Sequence, residues 1–71
     1  MSKKEYSLVG VDGNAYMIMA YVRKAMRECS KSNDEIESYL KEAKSDDYFH
    51  LICVSEEKID ELNKENGYGN D

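Results

Sequence analysis

The sequence predicts a mainly α domain: a short N-terminal β-like arm followed by three helices, or four if the last helical stretch divides. Three observations predict it. There is no proline, and the glycines fall at 10, 13, 67 and 69, so residues 14–66 lack both strong helix breakers. Within that stretch the apolar residues recur at helical intervals. Cap-forming residues at Asp12-Gly13-Asn14, Ser32 and Ser45-Asp46-Asp47 then divide it into segments of ordinary helix length.

Residues 1–5 are polar and charged and are expected to fray. Tyr6-Ser-Leu-Val-Gly-Val11 mixes aromatic and β-branched residues and reads as a short strand or extended arm. A lone strand is unstable, so this arm has to pair with something or lie across a helix. Asp12-Gly13-Asn14 is a turn in which Gly13 can take φ > 0 and Asp12 or Asn14 can cap a helix.

The first helix is predicted over 14–30. Ala15, Ile18, Met19, Val22, Met26 and Cys29 form one stripe, with Ala25 beside it. Tyr16, Met17, Ala20 and Tyr21 add apolar surface on other faces, so the first two turns are expected to be buried nearly all round. Arg23, Lys24, Arg27 and Glu28 face water, and the cations suit the C-terminal end of the helix dipole.

Ser32 and Glu35 have the spacing of a capping box, which starts a second helix over 33–44 with the stripe Ile36, Tyr39, Leu40 and Ala43. Asp47 caps the next segment. Tyr48-Phe-His-Leu-Ile-Cys-Val54 reads two ways. As a helix it puts Tyr48, Leu51, Ile52, Ser55, Ile59 and Leu62 on one face and continues to about residue 64. As a strand it pairs with the N-terminal arm, giving an α+β fold with residues 48–54 extended. The helix is preferred, because the cap lies just before the run and no turn follows Val54. Residues 1–65 are expected to form a single domain, and residues 66–71 a disordered tail.

Composition limits function. A domain of 71 residues has little core to spare for a deep enclosed site. The net charge of −5 divides unevenly: residues 1–31 carry six Lys/Arg against three acids, and residues 32–71 carry four lysines against twelve acids. Nucleic-acid binding is disfavoured, since basic side chains drive it. No segment approaches the ~20 apolar residues a bilayer requires. Cys29 and Cys53 lack metal-ligand spacing and no apolar leader precedes them, so reduced thiols in a cytoplasmic protein are expected.

Three constellations could carry chemistry. The Asp12-Gly13-Asn14 turn at a helix N-terminus has the outline of an anion or phosphate site. It lacks the phosphate-loop patterns, and Asp12 places negative charge where the ligand would sit. His50 and Cys53, three residues apart, make a formal histidine–thiol pair, but nothing identifiable orients such a base. No metal ligand set and no cofactor are predicted. Tyr16, Met17 and Tyr21 lie off the main stripe and are candidate interaction residues, because Tyr and Met are enriched at protein interfaces.

The runs Leu8-Val-Gly-Val-Asp-Gly-Asn-Ala15 and Ser45-Asp-Asp-Tyr-Phe-His-Leu51, with Asp34-Glu-Ile-Glu-Ser-Tyr39 between them, resemble a group of short proteins of bacterial genomes and phage-like mobile elements. The likeness covers roughly residues 6–54. It implies helix around Asp-Tyr-x-His-Leu and carries no activity, cofactor or catalytic residue. The chain departs from the group after Val54, where its ending is more polar. The functional expectation is a non-catalytic accessory protein acting through contact with an unidentified protein or a second copy of itself. The alternative is a small-ligand or phosphate-binding module using Asp12, Gly13 and Asn14.

Overall fold

A computed structural model of the chain describes residues 5–67. It contains three helices, α1 (Ala15–Glu28), α2 (Asn33–Ala43) and α3 (Tyr48–Glu65), and no strand among the described residues. The ambiguous run 48–54 is therefore helical, the preferred of its two sequence readings.

Each helix starts where a short polar side chain replaces a missing backbone partner. Asn14 Oδ1 accepts the Tyr16 N–H at 2.8 Å, and Asn14 is itself held by Asp12 Oδ1, which accepts the Asn14 N–H at 2.9 Å. The Ser32–Glu35 capping box forms in both directions, at 3.2 and 3.1 Å. Asp47 Oδ1 accepts the His50 N–H at 2.9 Å and so starts α3.

The end of α1 comes two residues earlier than periodicity suggests. Ser30 takes the left-handed conformation, with φ +64°. The Lys31 N–H then reaches back to the Met26 carbonyl at 2.9 Å and the Ser30 N–H to Arg27 at 3.0 Å. This 6→1 and 5→2 pair closes the helix.

Contacts between helix ends establish an up-down-up bundle. The Tyr39 and Ser55 hydroxyls meet at 2.6 Å, and Glu42 meets His50 at 3.0 Å, so α2 and α3 run antiparallel. The Tyr48 hydroxyl donates to the Gly13 carbonyl at one end of the bundle. Lys31 pairs with Glu65 at 2.6 Å at the other, so α1 and α3 run parallel. Between them lie Ile18, Met19, Val22, Ala25 and Met26 of α1, Ile36, Tyr39 and Ala43 of α2, and Leu51, Ile59 and Leu62 of α3. Met26, Leu62 and Val22 are fully enclosed. Burying a side chain of that kind contributes about 1.5–3 kcal/mol.

The arm differs from the strand the sequence suggests. Its backbone partner is a side chain rather than another strand: the Tyr6 N–H donates to Asn63 Oδ1 at 2.7 Å, and Asn63 Nδ2 donates to the Tyr6 carbonyl at 2.8 Å. The Tyr6 side chain is buried in the core, edge-on to Tyr21 at a ring separation of 6.4 Å. Beyond it, Leu8-Val-Gly-Val11 forms a turn closed by the Val11 N–H on the Leu8 carbonyl at 3.1 Å. Gly10 supplies the required positive φ there, +86°, and Gly13 does not adopt one.

Two further expectations change. The front of α1 is not covered all round: Tyr16 is 79% exposed and Met17 51%, because the arm crosses the other flank of the helix, at Tyr21. At the C-terminus, Asn66 and Gly67 belong to the helix end. Asn66 donates its N–H to Leu62 at 3.0 Å, and Gly67 takes φ +92°. The rest of the expected tail and the first four residues lie outside the described residues.

Candidate functional site

The apolar surface left uncovered by the fold lies at Val9 on the arm, at Tyr48 and Phe49 on α3, and at Tyr16 and Met17 on α1, where charged residues continue it. Tyr16, Ala20, Arg23, Lys24 and Arg27 succeed one another at i, i+4, i+7, i+8 and i+11, and all are exposed. This outward strip is apolar at its first turn and cationic afterwards. Met17 lies beside it. Where α1 meets the C-terminal half of α2, Tyr16, Met17, Ala20 and Leu40 line a shallow groove of about 400 Å³, rimmed by Arg23 and Lys44. Leu40 is only partly covered by the core. Tyr48 and Phe49 at the start of α3 are also exposed, Phe49 by 74%.

The electrostatics of that face are unbalanced. Among the described residues the ion pairs are Lys31–Glu65, His50–Glu42, Lys58–Glu61 and Lys64–Asp60, so Arg23, Lys24, Arg27, Lys41 and Lys44 have no acidic partner there. The opposite situation holds between α2 and α3. There a broader groove of about 760 Å³ is lined by Asp34, Glu35, Glu42, Glu57, Asp60 and Glu61, with only Lys58 and Lys64 to offset them. Its apolar lining comes from Val54 and the edge of Tyr39.

The candidate residues of the sequence fall into separate places. Tyr16 and Met17 share the α1 groove, whereas Tyr21 is turned away from it, its hydroxyl accepting the Ser7 N–H at 2.9 Å. Asp12, Gly13 and Asn14 are drawn into the fold. Asp12 holds Asn14, Asn14 caps α1, and the Gly13 carbonyl takes the Tyr48 hydroxyl. His50 does not face Cys53. Its Nε2 lies 3.0 Å from the Glu42 carboxylate, 3.2 Å from the Glu42 carbonyl and 3.3 Å from Ser45 Oγ, where it closes the end of α2. Cys29 and Cys53 are free thiols. Cys29 Sγ is half-buried, 3.9 Å from the Tyr6 hydroxyl and 3.8 Å from Asn66 Nδ2.

The perturbed ionisable groups all move away from neutrality. Burial, then the hydrogen bond to Glu28, pushes the Tyr6 hydroxyl up, and burial raises Tyr39. The hydrogen bond to Glu65 raises Lys31, and the one to Lys58 lowers Glu61. No group of three or more His, Cys, Asp or Glu among the described residues is placed to hold a metal ion. No helix among them is long and apolar enough to cross a membrane.

The sequence does not single out Asn63, nor Leu40 and Lys44 as neighbours of Met17. Asn63 comes directly after Leu62 on the face of α3 that meets the arm, where a buried amide breaks no pattern a single sequence reveals. Leu40 reads as ordinary core, and its partial exposure results from how α1 crosses α2.

No family model matches the chain, and no curated protein or solved structure matches it.

Proposed function

We propose that this is a non-catalytic accessory protein of the cytoplasm that acts by protein contact through the outward face of α1. The observation that carries it is the exposed Tyr16–Met17–Ala20 surface flanked by cations that have no acidic partner among the described residues. Exposed aromatic and methionine side chains beside a charged rim have the composition of an interface. The free thiols support a reducing compartment, and the resemblance of the VGVDGNA and SDDYFHL runs supports a setting in bacterial or phage-like genomes.

The ligand-binding alternative at Asp12, Gly13 and Asn14 has weaker support. An anion at that turn would compete with hydrogen bonds already made to Asp12 and Asn14. Nucleic acid is a poor partner for a chain with net charge −5.

A photo-cross-linking residue at position 17, compared with one at position 56 on α3, tests the contact reading in cells. The expected result is a discrete adduct from position 17 that unlabelled wild-type protein competes away. Equal or absent adducts from the two positions would overturn it.

A further inference from the structure

Two faces of the bundle carry opposite charge and match in length and in the order of their chemistry. The outward strip of α1 runs from Tyr16 and Ala20 to Arg23, Lys24 and Arg27, a span of about 16 Å at helical rise. The α2/α3 groove runs along α3 from Val54 to Lys64, about 15 Å. It begins at half-buried Val54 and continues into Glu57, Asp60 and Glu61, with Asp34 facing them from α2. Each face therefore has apolar surface toward one end and charge along the remainder. Glu42 borders the Val54 end of the groove, and Lys58 and Lys64, paired with Glu61 and Asp60, leave the groove net acidic.

We propose that the α1 strip of one copy docks in the α2/α3 groove of a second copy, Tyr16 over Val54 and the three cations over the carboxylates. This rests on reading α1 as the contact face and names its occupant. Charge decides the pairing. Strip against strip would set six cations opposite one another, and groove against groove would oppose two acidic surfaces. Strip into groove is the arrangement that brings opposite signs together despite a net charge of −5 per copy.

Surface area permits it. A stable interface takes about 800 Å² from each partner. That is about one-sixth of the 4974 Å² exposed by the described chain. The pairing is head to tail, so each docked pair keeps one free strip and one free groove for further copies, and association ends only where a ring closes.

Sedimentation equilibrium at low salt, up to ~1 mM protein, tests the proposal. The expected result is a mass that rises with concentration and falls back in ~1 M salt, where the Debye length shrinks to ~3 Å. Tyr16→Asp disables the strip, and Glu57→Lys with Glu61→Lys disables the groove. All three positions are exposed, so both variants should fold, which circular dichroism checks. Each variant alone should be monomeric, while an equimolar mixture should form a 1:1 complex, because one supplies the intact strip and the other the intact groove.

A wild-type chain that stays monomeric throughout overturns the proposal. So does a Glu57→Lys/Glu61→Lys variant that associates as well as wild type, since the strip would then be packing on another strip. A monomeric wild type that still cross-links from position 17 to a different protein would leave the contact reading standing. Loss of both would remove both.

Discussion

The side-chain amide of Asn63 pairs with both main-chain groups of Tyr6, accepting its N–H at 2.7 Å and donating to its carbonyl at 2.8 Å. An asparagine side chain offers the same donor and acceptor as a peptide unit, so it substitutes here for the neighbouring strand that the arm lacks. Asn63 is only 9% exposed, and its geometry holds the buried Tyr6 ring in the core.

Removing that amide should release the arm. Asn63→Ala is expected to cost about 2 kcal/mol, because a buried backbone pair loses its partner. Asn63→Asp, which keeps the acceptor but turns the donor into a second acceptor facing the Tyr6 carbonyl, should also destabilise at neutral pH. Urea unfolding gives the stability, and loss of hydrogen-exchange protection at the Tyr6 amide locates the effect. An unchanged midpoint for both variants would contradict this account of the arm.

A second buried polar contact joins α2 to α3. The hydroxyls of Tyr39 and Ser55 meet at 2.6 Å, and Ser55 is fully enclosed. Ser55→Ala leaves the tyrosine hydroxyl buried without its partner, at an expected cost of about 1–3 kcal/mol. Adding Tyr39→Phe should recover part of the loss, since the double variant has no orphaned group. A double-mutant cycle measures this as a coupling energy. Strict additivity would rule the contact out as a stabilising pair.

Stability should decline on the alkaline side. Burial raises both Tyr6 and Tyr39 above the ordinary tyrosine value of 10.0. The unfolded chain therefore releases these protons first. Below about pH 10 the contribution is fully present, and above it the native state binds more protons, so stability falls as pH rises. Lys31, raised by its bond to Glu65, acts in the same direction from 10.5 upward. Thermal unfolding between pH 8 and 12 should show the fall, and Tyr6→Phe should make it shallower. A wild-type slope equal to that of Tyr6→Phe would refute the assignment.

The two left-handed helix ends should respond oppositely to substitution. Ser30 carries a side chain at φ +64°, so Ser30→Gly relieves strain and should stabilise by about 0.5–1 kcal/mol. Gly67 sits at φ +92°, and Gly67→Ala should destabilise by about 1 kcal/mol. Midpoints from chemical denaturation settle both signs.

The helices are legible in the sequence because their signals are local. Ser32 with Glu35, and Asp47 ahead of Tyr48, satisfy donors within three residues of themselves, so spacing alone reveals them. The arm reads as a strand because Tyr6–Val11 has strand-like residues, while its true partner lies on the last turns of α3. Distance along the chain hides that contact. The exposure of Tyr16 and Met17 is half legible. Periodicity shows that they leave the core stripe, but what covers a second face depends on where other elements cross. Here the arm crosses at Tyr21 and leaves the remaining flank open.

The bond between Tyr6 and Asn63 also orders events in time. The two residues are 57 apart in sequence, and synthesis at about 5–20 residues per second separates their appearance by roughly 3–11 s. Throughout that interval Tyr6 has been made and Asn63 has not. The arm therefore cannot make its contact with Asn63 until the last turns of α3 have been synthesised.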